Sequence, residues 1–420
     1  MGYDIPNNWT LMHKNTPVSD IRINERLGSI VGVDKIHNVK HAPLITTDKL
    51  GSINHQQLDK WFKGRAIPAS RQNVMRMLHE LQIDTPAALS LKSQGLSLSD
   101  HYWVKPVEKD ILWEEVNFFQ NDFSDDIGTL IPAGQNVANI NLSSPDNTSD
   151  GILQKRWKII DGKRYLIKAA NMEHILRQEP FNEVIASDIM KELNINHIPY
   201  QQIFINERAY SMCEAFTTEN LELITGHDII HHVNIDHKKR ENHTSVYEHL
   251  LQSCEKLGIG NIRSDIERML VLDYIINNVD RHHGNYGVLR NADTLEYAGF
   301  APVYDSGYSL WCDGSRMNDP AQSRPFKNFH KDQIKLVKDL SWYEPIPKDK
   351  LTDIISETLS KNTPLEGIRT GISAERIAHI ARITNIRANK MTELKMELAP
   401  PMIQVKKPVI KRKVDATPEA

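Results

Sequence analysis

The sequence predicts an α+β chain of two lobes, a small strand-rich one and a larger helical one, with a mixed accessory region ahead of both. Three observations carry this. Residues 154–170 read as two strands around an Asp161-Gly162 turn. Residues 331–398 are mostly helical by pattern. Between them Asp280, Asn285 and Asp305 lie in loops that follow apolar segments, as the polar residues of one cleft would.

In chain order, residues 1–130 form the accessory region. Thr10 to Val33 alternates apolar and polar residues through Ile21, Ile23, Leu27, Ile30 and Val31, which suggests strands. Helices are expected over Gln56–Phe62 and Ala69–Leu81, the second started by Ile67-Pro68. Lys60, Lys63, Arg65, Arg71 and Arg76 read as a solvated helix face rather than a phosphate-backbone contact. Trp103, Trp113, Phe118, Phe119 and Phe123 read as packed against the core of the two lobes that follow rather than as an exposed binding site, because large aromatics are usually buried.

Residues 131–217 form the small lobe. Ser143 to Gly151 is a polar loop. The hairpin follows, with Lys168 directly after the apolar part of its second strand. Pro180 opens a helix running to Leu193, with Glu183 on the side of Ala186 and Met190. Ala209 to Phe216 reads as a strand entering a connector.

Residues 218–399 form the helical lobe. Ile266 to Val279 is an apolar-periodic helix without Gly or Pro, ending at Asp280. Gly287–Arg290 and Phe300–Tyr304 read as a strand pair, which sets Asp305 just past a strand. Later helices are expected over Ile334–Leu340, Leu351–Leu359, Ser373–Ile386 and Ala388–Leu398. Residues 400–420, rich in Lys, Arg and Pro, read as a disordered basic tail.

Composition narrows the function classes. A 420-residue chain holds two or three domains. Its net charge of −3 gives no global pull towards nucleic acid, so direct nucleic-acid binding is not expected. No apolar run approaches a membrane span and the N-terminus lacks an apolar signal region, so the expected compartment is the cytoplasm, without membrane partners. Cys213, Cys254 and Cys312 are few and far apart, as reduced thiols are. His227, His231, His232 and His237 read as a solvated loop rather than a zinc site, and His282 and His283 as loop residues beside the cleft.

The chemistry of Asp280, Asn285 and Asp305 is that of phosphoryl transfer. A carboxylate beside the acceptor hydroxyl, followed five residues later by an Asn and then by an Asp in a segment ending in Gly, is the order of a protein-kinase catalytic and metal-binding loop. Asp280 suits the catalytic role, with Asn285 and Asp305 on Mg²⁺. Lys168 suits the ATP phosphates, oriented by Glu183, with Asn182 and Glu179 as alternative partners. In a kinase-like hinge the backbone near Glu214 to Phe216 would meet the adenine. The fold expected is therefore protein-kinase-like and two-lobed, with ATP and Mg²⁺ as cofactors.

Lys168, Asn182-Glu183, Asp280 to Asn285, Asp305 and the run Asn277-Asn278-Val279-Asp280-Arg281-His282 resemble the HipA-like family of bacterial serine/threonine kinases, over about residues 140–395. The chain departs from eukaryotic-type kinases in ways compatible with that group. It has no Gly-rich phosphate loop, Asn278-Val279 replaces His-Arg before the catalytic Asp, and Asp305-Ser306-Gly307 replaces Asp-Phe-Gly. The resemblance implies that Ser143 to Gly151 is a phosphate-binding loop (Ser143, Ser144, Thr148, Ser149, Gly151). It also implies autophosphorylation there, on one of Ser143, Ser144, Thr148 and Ser149. A protein substrate, an antitoxin partner and a toxin role are further implications. Two rivals stand beside this reading: a small-molecule or lipid kinase on the same fold, and a nucleotide-binding regulatory module without transfer activity.

Overall fold

Three small antiparallel sheets position the site in the computed structural model, which describes residues 7–48, 51–71, 73–124, 142–149, 153–232, 243–317, 321–361 and 371–399. The expected boundary at residue 130, Gly151, His237 and the basic tail lie outside the described residues.

The first sheet joins β1 (Asn7–His13), β2 (Thr16–Asn24), β3 (Ser29–Ile36) and β4 (Tyr102–Pro106) in the order β3-β2-β1-β4. Its alternation buries Leu11, Ile21, Ile23 and Val104 against Leu58 and Phe62 of the helix His55–Gly64. Asn54 starts that helix by accepting the amides of Gln56 and Gln57. The expected helix from Ala69 shrinks to Val74–Glu80. Residues 68–71 turn instead, because Arg71 is drawn inward to Ser149.

The second sheet joins β5 (Lys155–Ile160), β6 (Lys163–Ala169), β7 (Tyr200–Ile205) and β8 (Arg208–Glu214) in the order β5-β6-β8-β7. Asp161 and Gly162, with φ of 49° and 75°, make the left-handed turn that joins β5 to β6. The helix Glu179–Glu192 lies against this sheet and buries Phe181, Ile185 and Ile189 in the main core.

The third sheet, β9 (Leu221–Thr225), β10 (Gly287–Asn291) and β11 (Tyr297–Phe300), carries the expected strand pair plus a third member. Beyond it, Val303 bridges to His197 instead of extending β11. The helix Arg263–Ile276 runs through the core and stops before Asp280, because Asn277 is left-handed at φ 55°. The expected helix over Ile334–Leu340 is a short helix His330–Gln333 followed by a 3₁₀ turn to Leu336. The chain then opens because the amides of Lys338 and Asp339 donate to buried Glu267, at 3.0 and 3.1 Å. The two expected C-terminal helices are one, Ala374–Leu398, capped by Ser373 and packed on Lys348–Leu359. Among the described residues, no helix is long and apolar enough to cross a membrane.

Candidate active site

Lys168, near the end of β6, is buried, and its Nζ donates to three oxygens. They are Glu183 Oε1 at 2.8 Å, Asp305 Oδ1 at 2.9 Å and Tyr200 hydroxyl at 3.2 Å. Burial alone would lower the Lys168 pKa, but Asp305 and then Glu183 hold it well above the usual lysine value. Burial would likewise raise Asp305, yet the Lys168 ammonium holds its carboxyl well below the usual range. The site therefore keeps an ammonium and a carboxylate charged without full solvation.

Of the three candidate partners for Lys168, the structure brings only Glu183 to it. Asn182 turns the other way and donates to the carbonyls of Gly307 and Ser309, at 2.8 and 2.7 Å. Glu179 pairs with His174. The second oxygen of Glu183 accepts the Ser306 amide at 2.9 Å, so one carboxylate links the strand lysine to the segment bearing Asp305. Gly307 makes this approach feasible. A Cβ there would sit 3.2 Å from the Glu179 carbonyl oxygen and 3.3 Å from Glu183 Cγ.

Asp280 lies in the loop after the Arg263–Ile276 helix, its side chain 43% exposed, with Arg324 Nη1 3.4 Å from Oδ1. Partial burial raises its pKa, His282 and Arg324 oppose the rise, and Asp305 adds to it. Asn285 donates its Nδ2 to the Asp280 carbonyl at 3.1 Å. Its remaining side-chain acceptor is the carbonyl oxygen, the donor type a hard cation takes. Asp305 is 34% exposed at its side chain, so its carboxylate reaches both Lys168 and the cleft. Asn285 and Asp305 both offer oxygen donors of the kind a hard cation such as Mg²⁺ takes.

Sequence reasoning missed the residue that fastens these loops together. Arg281 is fully buried and binds Asp273 through Nε and Nη2. Its Nη1 donates to the carbonyls of Asn285 at 3.0 Å and Asp305 at 3.1 Å and to that of Tyr304, while Nη2 also reaches Ser306 Oγ at 2.8 Å. Asn278 completes the set by donating to Asp273 at 2.9 Å. One signal was available: Asp273 is a carboxylate inside an otherwise apolar helix run, which implies a buried cation nearby.

The segment before β5 departs from a solvated loop. Ser144 to Ser149 are buried around a 3₁₀ turn, Pro145–Thr148, whereas Ser143 is exposed. Asp146 accepts the Trp157 amide at 2.7 Å, Thr148 donates to the Leu96 carbonyl, and Ser149 receives Arg71 Nη1 at 2.9 Å. Arg71 is thus a buried anchor and not part of a solvated face. Lys63, Arg65 and Arg76 are paired with Asp59, Asp100 and Glu80.

At the connector, Glu214 pairs with Lys163, and Phe216 stacks on Tyr304 with ring centres 5.2 Å apart. The intervening Ala215 amide is already bonded to the Arg164 carbonyl at 2.8 Å. His227 to His232 form the end of a helix, Gly226–His232, in place of the expected loop, and His232 bonds the Leu44 carbonyl. His283 is held by Tyr286 hydroxyl at 2.6 Å, its pKa pushed down to about 4 by burial and then by His227 and His231.

A strand lysine bonded to a helix glutamate and to the aspartate of a following loop, between a small sheet and a helical lobe, defines a two-lobed protein-kinase-like fold. Residues 145–363 match the model of the HipA-like C-terminal domain, and the chain belongs to that family. Among solved structures it is similar to HipA in the Shewanella oneidensis MR-1 toxin–antitoxin complex of HipA, HipB and operator DNA. That match has 12% identity, covers 92% of this chain and 99% of that one, and has a TM-score of 0.56. It is also similar to the Helicobacter pylori proinflammatory kinase CtkA, at 17% identity over 58% of this chain and 94% of that one, with a TM-score of 0.43. No curated protein matches.

Proposed function

We propose that the protein is an ATP- and Mg²⁺-dependent serine/threonine protein kinase that works as the toxin of a toxin–antitoxin pair. The observation that carries this is the Lys168 ammonium bonded to both Glu183 and Asp305, with Arg281 tying the Asp305 segment to the Asp280–Asn285 loop. A binding module has no need to hold these charges together.

In this reading Lys168 leaves part of its contact with Asp305 for the ATP phosphates, and Glu183 keeps its ammonium aimed. Asn285 and Asp305 would hold Mg²⁺, which supplies charge neutralisation for the transferring phosphoryl group. Asp280 orients the acceptor hydroxyl and takes its proton, with Arg324 beside the carboxylate. The backbone of Ser143 to Ser149 covers the phosphates, and that from Glu214 to Phe216 meets the adenine.

Ser143 is the self-modification site favoured by exposure, because Ser144, Thr148 and Ser149 are buried. Phosphate on any of those three requires the segment to leave Arg71 and Leu96, and its charge of about −1.5 to −2 would then oppose return beside ATP. The likeness to a HipA solved with HipB and operator DNA supports an antitoxin-type partner, and we place the complex in the cytoplasm.

The test is incubation of wild-type protein and Asp280→Ala with labelled ATP and Mg²⁺, followed by mass spectrometry. Phosphoserine or phosphothreonine in wild type, reduced about 10²-fold or more in the variant, is expected. No phosphoprotein, with ATP turnover only when small hydroxyl compounds are added, would replace this reading by a small-molecule kinase.

A further inference from the structure

Among the described residues, two clusters of metal-ligating side chains lie outside the carboxylates and amide assigned above, and their charge separates them. In the first, Glu222 of β9 meets His13 Nε2 at 3.1 Å and His101 Nδ1 at 3.5 Å. Its other oxygen is already bound by the Arg290 guanidinium at 2.7 Å. A divalent cation there would add two charges to a buried carboxylate that already has its counter-ion.

The second cluster is His174, Glu179 and Cys312, with His174 Nδ1, a Glu179 oxygen and Cys312 Sγ all within 4.8 Å of one another. It holds two groups that can be anionic, and among the described residues no Lys or Arg is hydrogen-bonded to either, Arg376 nearby donating instead to the Trp311 carbonyl. Glu179 Oε1 is paired with His174, while Oε2 is buried without a hydrogen-bond partner. Cys312 and Glu179 are 2% and 1% exposed, so the two groups face each other out of water. Burial, and then Glu179, pushes the Cys312 thiol up, and burial raises Glu179. A buried carboxylate oxygen without a side-chain partner, within reach of a thiol and an imidazole nitrogen, offers a cation three converging ligand atoms.

We propose that His174, Glu179 and Cys312 bind a thiophilic divalent cation of the zinc class. One sulfur, one imidazole nitrogen and one carboxylate oxygen suit such an ion, and a hard cation such as Mg²⁺ avoids the sulfur. Thiolate and carboxylate together balance its two charges. On binding, the Cys312 thiol proton leaves to solvent and the His174 Nδ1 proton moves to Nε2. The His174 side chain, 15% exposed, marks the route of entry and the side of a fourth, water ligand.

The position gives the ion a structural consequence. Glu179 stands one helical turn before Glu183 on the same helix, and Cys312 follows Asp305 by seven residues. A cation here clamps the helix that aims Lys168 to the chain leaving Asp305. The inference does not depend on phosphoryl transfer.

The test uses the full chain, stripped with a chelator and titrated with Co²⁺ in excess Mg²⁺, which keeps the hard site at Asn285 and Asp305 filled. A thiolate-to-cobalt charge-transfer band saturating at one cobalt per chain is expected. The band should be displaced by Zn²⁺, absent in Cys312→Ser and retained in Cys254→Ser. Cobalt titration without that band, or a band that survives Cys312→Ser, overturns the proposal. Should Cys312→Ser fail to fold, His174→Gln serves instead. Its cobalt affinity should fall by about tenfold or more, and unchanged affinity overturns the site equally.

Discussion

Arg281 binds Asp273 through two parallel contacts of 3.0 Å, Nε to Oδ2 and Nη2 to Oδ1, with both side chains out of water. The pair belongs to one helix and the loop after it, yet the remaining guanidinium hydrogens hold the carbonyls of Asn285, Tyr304 and Asp305. Only a planar fork has enough donors in fixed directions for this.

Arg281→Met should therefore cost about 3–5 kcal/mol, because it leaves the Asp273 carboxylate buried and unpaired. Arg281→Met combined with Asp273→Leu should regain most of that stability, since no stranded charge remains. If the proposed kinase reading holds, neither variant should carry out phosphoryl transfer, because the Asp305 segment has lost its anchor. Urea unfolding and turnover of the two variants check this. A double variant that is stable and active would show that Arg281 serves folding alone.

The Lys168 to Asp305 pair sets a pH window for stability. Asp305 has a depressed folded-state pKa, so its contribution is present above its unfolded value near 3.9 and fades as pH falls through the folded value. Lys168 is raised, so its contribution is complete below an unfolded value near 10.4 and is lost as pH rises through the folded value. Between those limits the pair adds no slope. Asp305→Asn should lower stability at neutral pH, and its deficit should shrink below about pH 4. Denaturation midpoints of wild type and variant across pH 3–8 check it, and a constant deficit would remove the ion pair from the account.

The order of the motifs was legible because each falls where one local pattern gives way to another. Lys168 ends an apolar strand, Glu183 faces inward on a Pro-initiated helix, and Asp280 and Asp305 follow buried segments. Contacts between segments distant in sequence were not legible. Nothing local announces that Arg71 reaches Ser149 across 78 residues, so a polar run looked like a solvated loop. Helix ends failed for a related reason. Asn277 adopts a left-handed conformation that Asn tolerates, and its gain, Asn278 on Asp273, appears only after the chain turns.

Arg71 offers a way to loosen that buried segment. Its Nη1 meets Ser149 Oγ and its Nη2 the Ser149 carbonyl, and Arg71→Ala leaves both without this donor. A cost of about 1–3 kcal/mol is expected for groups left unsatisfied. Limited proteolysis should then cut near residues 142–149 at lower protease levels than in wild type. Cleavage that is unchanged while global stability falls would mean the segment is held by its other contacts.

Acid sensitivity should come from two neutral histidines. His330 is 2% exposed and burial pushes its pKa down to about 3, while His283 stands at about 4 for the same first cause. Both are depressed bases, so between those values and an unfolded pKa near 6.5 the unfolded chain binds more protons than the native one. Stability must then fall as pH drops through that interval, by up to about 1.4 kcal/mol per pH unit for each histidine. His330→Leu removes one of the two and should make the decline between pH 6 and 4.5 shallower. Urea midpoints at those two pH values, for wild type and variant, decide it. Equal slopes would mean that His330 takes up its proton in the folded state.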